Sequence, residues 1–114
     1  DAQAMRGLGL ALLDLNQLTE AVAMVGMAYR ASPELADSPV PVVAFGGTAR
    51  EMRENLRRAS LYANQTRSAS AWLTLAVLMQ AEGRSAVART MLDRARAAGL
   101  DESVYRRMQS ALVS

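Results

Sequence analysis

The sequence predicts an all-α protein, an α-solenoid made of antiparallel helical hairpins. The first observation behind this prediction is an internal repeat, because large and small residues recur at the same offsets in residues 5–33 and 72–100. The second observation is the composition, in which 51% of the residues are hydrophobic and only 4% are aromatic. Such a balance suits helices that pack through Ala, Leu, Val and Met. We expect a single domain over residues 1–114.

The two copies of the repeat align without gaps, and Trp72 lies 67 residues after Met5. Matched pairs in this register are Leu8 with Leu75, Gly9 with Ala76, Leu12 with Met79, Asn16 with Gly83, Ala21 with Ala88, Val25 with Leu92 and Ala28 with Ala95. Large residues at three- and four-residue spacing form one face of a helix, and small residues allow two helices to pack closely. Each copy is therefore predicted to be two helices joined by a turn, the first in residues 1–35 and the second in residues 69–100.

These offsets resemble those of the tetratricopeptide repeat, a helix-turn-helix unit of about 34 residues. The first copy has the large residue, the Leu-Gly pair, the small alanines and the closing Pro33 of that family. The second copy matches it except that Leu100 stands in place of the proline. Gly99 and Asp101 supply a helix stop and a helix start there. The resemblance implies a solenoid of the tetratricopeptide-repeat (TPR) type.

A third, degenerate repeat is expected in residues 36–68, because an interval of 67 residues is about two repeats long. Its second half is predicted to be a helix, since Thr48 and Glu51 have the spacing of a capping box. Four small or apolar residues then fall on one stripe of that helix, namely Met52, Leu56, Ala59 and Ala63.

The first half of this middle region departs from the repeat pattern. Pro39 and Pro41 lack amide donors and bias the residues before them towards extended backbone. We expect the apolar residues 42–45 to form a short plug in place of the missing helix. Together with residues 33–37, this layout resembles that of planctomycete-like bacterial repeat proteins, a likeness that implies no particular activity.

The last segment, residues 101–114, is predicted to be a short amphipathic helix that covers the preceding hairpin. A solenoid leaves its end faces open unless they are capped, so this helix is expected to be a terminal cap. Its apolar residues are Val104, Tyr105, Met108, Ala111 and Leu112.

The composition also argues against catalysis, because the chain holds no cysteine and no histidine. Thiol nucleophiles and His-based triads are therefore excluded, and the usual zinc and haem sites lack their commonest ligands. The carboxylates are scattered over predicted caps, turns and solvated faces, and the glycines form no phosphate-binding loop. We predict a protein that is not an enzyme, with no catalytic residue, no metal site and no cofactor.

Every one of the 13 basic residues is arginine, and the net charge is +2. Arg50, Arg53 and Arg57 form a stripe on the predicted middle helix, but Glu51 and Glu54 interleave with it and no aromatic residue accompanies it. This pattern favours a solvated face over nucleic-acid binding. No apolar run reaches the roughly 18 residues of a membrane span. The sequence leaves open a cytoplasmic location, or secretion after removal of a signal peptide before Asp1.

In TPR proteins the first helix of each hairpin lines a concave groove that binds peptides. The groove positions carried onto this chain are Gln3, Arg6, Leu10, Leu13, Asp14, Leu73, Val77 and Gln80. The family's clamp for peptide carboxylates needs basic and amide side chains, of which only Arg6 is present here. The resemblance therefore implies an apolar strip with polar edges, in a protein–protein interaction module or scaffold. The alternative is that the plug and the terminal helix cover this strip.

A second function hypothesis is self-assembly through the ends of the solenoid. The first helix has more apolar side chains than one following hairpin needs to cover, among them Met5, Leu8 and Leu12. The opposite end would offer Val104, Tyr105, Met108 and Leu112. If the last helix of one copy docks on the first helix of the next, the contact is heterologous and propagates into head-to-tail oligomers or filaments. The sequence alone does not choose between a partner protein and a second copy.

Overall fold

Two helical hairpins form the framework of the protein, whose computed structural model describes residues 1–41 and 48–112. The helices in chain order are α1 (Ala2–Asp14), α2 (Leu18–Ala31), a 3-10 helix (Pro33–Asp37), α3 (Ala49–Thr66), α4 (Ala69–Ala81), α5 (Ser85–Ala97) and α6 (Glu102–Ala111). All secondary structure in this part of the chain is helical, which confirms the predicted all-α class. The plug predicted at residues 42–45 lies outside the described residues.

The turns of the two hairpins, α1–α2 and α4–α5, have the same backbone geometry. Asn16 and Gly83 are both left-handed, with φ of 60° and 75°. The next residue donates its amide to the carbonyl five positions earlier, with an N···O distance of 2.9 Å in both Gln17–Leu12 and Arg84–Met79. A left-handed residue followed by this bond is the Schellman way of ending a helix. The matched sequence offsets thus correspond to matched hydrogen bonds.

Gly9 allows the close approach of α1 to α2. A methyl group at Gly9 would lie 3.0 Å from Cγ2 of Val25, 3.1 Å from the carbonyl oxygen of Ala21 and 3.3 Å from Cβ of Met24. These separations are shorter than the optimal contact of about 3.5–4.0 Å between carbon atoms. A methyl group at Gly7, by contrast, would meet nothing within 4 Å. Of the two glycines on α1, Gly9 is therefore required by packing and Gly7 is not.

The central element is α4, in which eight consecutive residues, 71–78, are buried. A helix that is apolar on all sides belongs in the interior of a protein. Thr74 is the polar exception, and its hydroxyl donates to the carbonyl of Ser70 at 2.8 Å. α2, α3 and α5 all pack against α4. No helix among the described residues is long and apolar enough to cross a membrane.

α3 begins where the capping pattern predicts, because Oγ1 of Thr48 accepts from the amide of Glu51 at 3.1 Å. The predicted stripe of Met52, Leu56, Ala59 and Ala63 is buried. Arg67, the residue directly after α3, terminates the helix in a left-handed conformation with φ of 53°.

α6 packs mainly against the 3-10 helix and touches α5 and α2 less. Nη2 of Arg107 lies 2.8 Å from Oδ2 of Asp37, a contact that joins residues 70 positions apart. The expectation that α6 simply covers the preceding hairpin is therefore met only in part. Leu35 and Ala36 of the 3-10 helix, against which α6 packs, are buried. The principal extents of the protein are nearly equal, at 30 × 29 × 27 Å.

Candidate interaction surfaces

The four apolar side chains predicted to line the groove are buried in the hydrophobic core. They are Leu10, Leu13, Leu73 and Val77. Leu73 and Val77 lie on α4, which is covered on all sides, and Leu10 and Leu13 lie on the inner face of α1. The open apolar strip expected at these positions is therefore closed in this structure, and a partner reaches these side chains only if the covering elements move.

Arg6, the predicted polar residue of the groove, is also buried, with 5% of its surface exposed. Its Nη1 donates to the hydroxyl of Tyr29 at 3.0 Å and to the carbonyl of Leu35 at 3.1 Å. Its guanidinium carbon lies 5.8 Å from the centre of the Tyr29 ring. Arg6 therefore ties α1 to α2 and to the 3-10 helix. The guanidinium group of Arg6 is used in these internal contacts and is not available to bind a peptide.

Two other predicted groove residues are partly or fully exposed. Gln80 is half-buried, and its Nε2 donates to the carbonyl of Ala36 at 3.0 Å. Its Oε1 is buried and has no hydrogen-bond partner among the described residues. Gln3 is exposed, and its backbone amide donates to the Asp1 carboxylate that caps α1. The eight predicted positions therefore do not come together as one surface.

The pKa of Tyr29 is raised above its ordinary value of 10.0, because burial disfavours the phenolate more than the nearby Arg6 stabilises it. In the unfolded chain the Tyr29 hydroxyl ionises more readily than in the folded protein. The stability that comes from keeping this hydroxyl protonated is complete below pH 10.0, and it is lost as the pH rises through the pKa of the folded state. We expect the free energy of unfolding in urea to fall above about pH 10. The fall should be smaller in Tyr29→Phe, and an equal fall in that variant would contradict the assignment.

Asn55 is a buried polar residue that the sequence analysis did not single out. It is 1% exposed, and its Nδ2 donates to Oδ1 of Asp14 at 2.6 Å. Its Oδ1 accepts from Nη2 of Arg58 at 2.6 Å, and Arg58 also donates to the carbonyl of Leu13 at 3.4 Å. Asp14, predicted as a groove residue, thus belongs to a network that joins the end of α1 to α3. Asn55 could have been found in the sequence, because it is a polar residue directly before Leu56 on the buried face of α3.

The apolar end predicted on α6 is used inside the chain itself. Val104, Tyr105, Met108 and Leu112 are all buried. The hydroxyl of Tyr105 also donates to Oδ1 of Asp93 on α5 at 2.9 Å. This face is therefore not available for docking on another copy in the conformation described.

The apolar end predicted on α1 is open. Met5 and Leu12 are half-buried and Leu8 is 51% exposed, and Leu15, which the sequence analysis missed, is 67% exposed. These four residues follow one another at intervals of three, four and three, the spacing of a helix–helix seam. We call this stripe the α1 seam.

The α1 seam has few charges along its length, and Asp1 and Asp14 lie at its two ends. Arg6 is the only charged residue within residues 2–13, and it is buried. The exposed residues beside the seam include Ala4, Gly7 and Ala11, whose small side chains permit close approach of another helix. The part of α1 between Asp1 and Asp14 therefore presents an apolar face with no exposed charge, in a chain whose residues are 21% charged.

Comparison with protein-family models, with curated proteins and with solved structures finds no match to this chain. The described residues contain no group of three or more His, Cys, Asp or Glu side chains placed to hold a metal ion.

Proposed function

We propose that this protein is a non-enzymatic protein–protein interaction module of the TPR type that binds through the α1 seam instead of the concave groove. The TPR assignment is supported by the two hairpins with equivalent turns and by Gly9 at the close approach of α1 to α2. In this assignment α2 of the first repeat packs directly on α4 of the second, and α6 packs against the 3-10 helix.

The observation that carries the proposal is the exposure of Leu8 on this apolar face of α1 and of Leu15 directly after the helix. Fully burying a leucine side chain contributes about 1.5–3 kcal/mol, so covering these half-exposed residues with a partner is favourable. The face is one helix long, and it fits the apolar side of an amphipathic helix from another protein.

A second candidate is pairing of two copies through the α1 seam. Uncharged faces meet without like-charge repulsion, and the seam spacing permits a two-fold contact in which each copy presents the same residues. Such a contact closes on itself as a dimer. The head-to-tail filament is less well supported, because the apolar face of α6 is already buried.

The test is the variant Leu8→Glu/Leu15→Glu, with Leu61→Glu as its matched control. Leu61 is 52% exposed, as Leu8 is 51% exposed, but it lies on α3. We expect both variants to change the free energy of unfolding by no more than about 0.5 kcal/mol, because the replaced side chains are largely exposed. A photo-crosslinking residue at position 8 should capture a partner in the host cell or, by product mass, a second copy.

The crosslinked product should disappear when Leu15→Glu is added. A crosslinker at position 61 should give no defined product. Equal capture at positions 8 and 61, or capture at position 8 that survives Leu15→Glu, would overturn the proposal. Sedimentation over a range of concentrations then separates the two candidates, since only self-pairing doubles the mass.

A further inference from the structure

An open cleft of about 530 Å³ lies between the α3–α4 junction and the last turn of α5. It is lined by Asn64, Arg67, Trp72, Arg94, Ala97 and Ala98. Two of these side chains are positively charged, and none is a carboxylate. The cleft is remote in sequence from the α1 seam, and its interpretation does not depend on the proposed function.

Arg67 occupies a backbone position that does not favour arginine. Four described residues have a left-handed φ, and the other three are Asn16, Gly83 and Gly99. Asparagine and glycine are the residues that this conformation suits, whereas other side chains pay roughly 1–2 kcal/mol there. The Arg67 side chain forms no hydrogen bond or ion pair with the described residues. The described fold therefore gives no reason for an arginine at this position, and a strained residue of this kind points to function.

Arg94 is held in place by Trp72. Its guanidinium carbon lies 5.0 Å from the centre of the indole ring of Trp72, a residue that is 6% exposed. Stacking on an aromatic face fixes the plane of a guanidinium group while leaving its N–H edge free to donate.

Arg96 offers an internal comparison. It stacks on Tyr105 at 4.5 Å in the same way, but its Nη2 also lies 3.3 Å from Oε2 of Glu102. No such carboxylate is paired with Arg94 within the described residues. Arg94 is therefore a stacked, oriented arginine for which the described residues provide no anion.

The carboxyl end of α5 forms one wall of the cleft, and a helix C-terminus carries partial negative charge. The carbonyls of Arg94, Ala95 and Arg96 accept backbone hydrogen bonds from residues 98–100. These bonds offset part of the partial negative charge at the end of α5. The guanidinium groups of Arg67 and Arg94 are therefore the dominant charges in the cleft.

We infer that this cleft binds an oxyanion, a carboxylate or phosphate group, between Arg67 and Arg94. Guanidinium groups bind both kinds of oxyanion through paired N–H donors. The side-chain amide of Asn64 donates to the carbonyl of Ser60 at 2.8 Å and keeps a second N–H at the rim. Ala97 and Ala98 provide an apolar wall for the carbon skeleton that carries the anion.

Trp72 is the only tryptophan of the chain, so its fluorescence reports on the cleft directly. The probes are inorganic phosphate, acetate and a glutamate-rich peptide, each titrated at constant ionic strength against sodium chloride. We expect a saturable change with at least one of the probes and none with chloride. Binding of phosphate alone identifies a phosphate source, whereas binding of acetate or the peptide identifies a carboxylate source.

The decisive variant is Arg67→Asn, because asparagine suits the left-handed conformation and should not destabilise the fold. It should weaken binding about tenfold, as should Arg94→Gln, since each removes one charged donor. Arg53→Gln, on the exposed face of α3, is the control and should leave binding unchanged. A response to chloride equal to that of every probe, or unchanged binding in Arg67→Asn, would overturn the inference.

Discussion

Replacing Gly9 with leucine is expected to lower the free energy of unfolding by about 3 kcal/mol, and the same replacement at Gly7 is expected to raise it by about 0.5–1 kcal/mol. The opposite signs arise because the two glycines face different surroundings on one helix. The new side chain at position 9 would begin 3.1 Å from the carbonyl oxygen of Ala21, a backbone atom that cannot turn aside. At position 7 the Cβ atom meets nothing within 4 Å, and leucine has the higher helix propensity.

Urea unfolding of the two variants, followed by circular dichroism, measures both effects at low protein concentration. Ala76 is the residue that matches Gly9 in the second hairpin, so Gly9→Ala is a useful intermediate. It should fall between the wild-type chain and Gly9→Leu. Equal stability of the two leucine variants would show that α1 and α2 are not in the close contact described.

The variant Asn55→Asp is expected to lose about 3 kcal/mol of stability at neutral pH, because it places a second carboxylate in a buried position next to Asp14. The present amide nitrogen donates to Oδ1 of Asp14 at 2.6 Å, and a carboxylate oxygen there can only repel it. Arg58, which faces the other oxygen, offsets part of this repulsion. Acid should restore part of the lost stability, because protonation of one carboxyl group removes the repulsion between the two.

The exchange Asp14→Asn/Asn55→Asp provides the matched control. It retains one amide and one carboxylate with their positions reversed, so a donor again faces an acceptor. We expect the double variant to recover most of the stability that Asn55→Asp loses, as measured by urea unfolding at neutral pH. If the single and double variants are equally unstable, hydrogen-bond polarity is not what the network contributes.

Features governed by local rules could be predicted from the sequence. The capping residues Thr48 and Glu51 mark the start of α3 because the motif is complete within four residues. The turns at Asn16 and Gly83 follow from the preference of asparagine and glycine for left-handed backbone. The all-α class follows from the spacing of apolar residues, which needs no knowledge of what each helix packs against.

Features that depend on distant parts of the chain could not be predicted. An amphipathic helix indicates that one face is covered, but Val104 and Met108 do not specify whether the second hairpin or the 3-10 helix covers them. Arg6 is buried because Tyr29 and Leu35, which are 23 and 29 positions away, accept its hydrogen bonds. Leu15 could have been predicted from the sequence, because its spacing from Met5, Leu8 and Leu12 continues the seam.

The ion pair between Asp37 and Arg107 spans 70 residues, and this separation has a consequence for synthesis on the ribosome. At roughly 5–20 residues per second, α6 is made some 4–14 s after the 3-10 helix that it covers. During that delay the apolar side chains of Leu35 and Ala36 remain open to water or to a chaperone. The nascent chain therefore completes its core late, and a ribosome stalled before α6 would hold an incompletely folded protein.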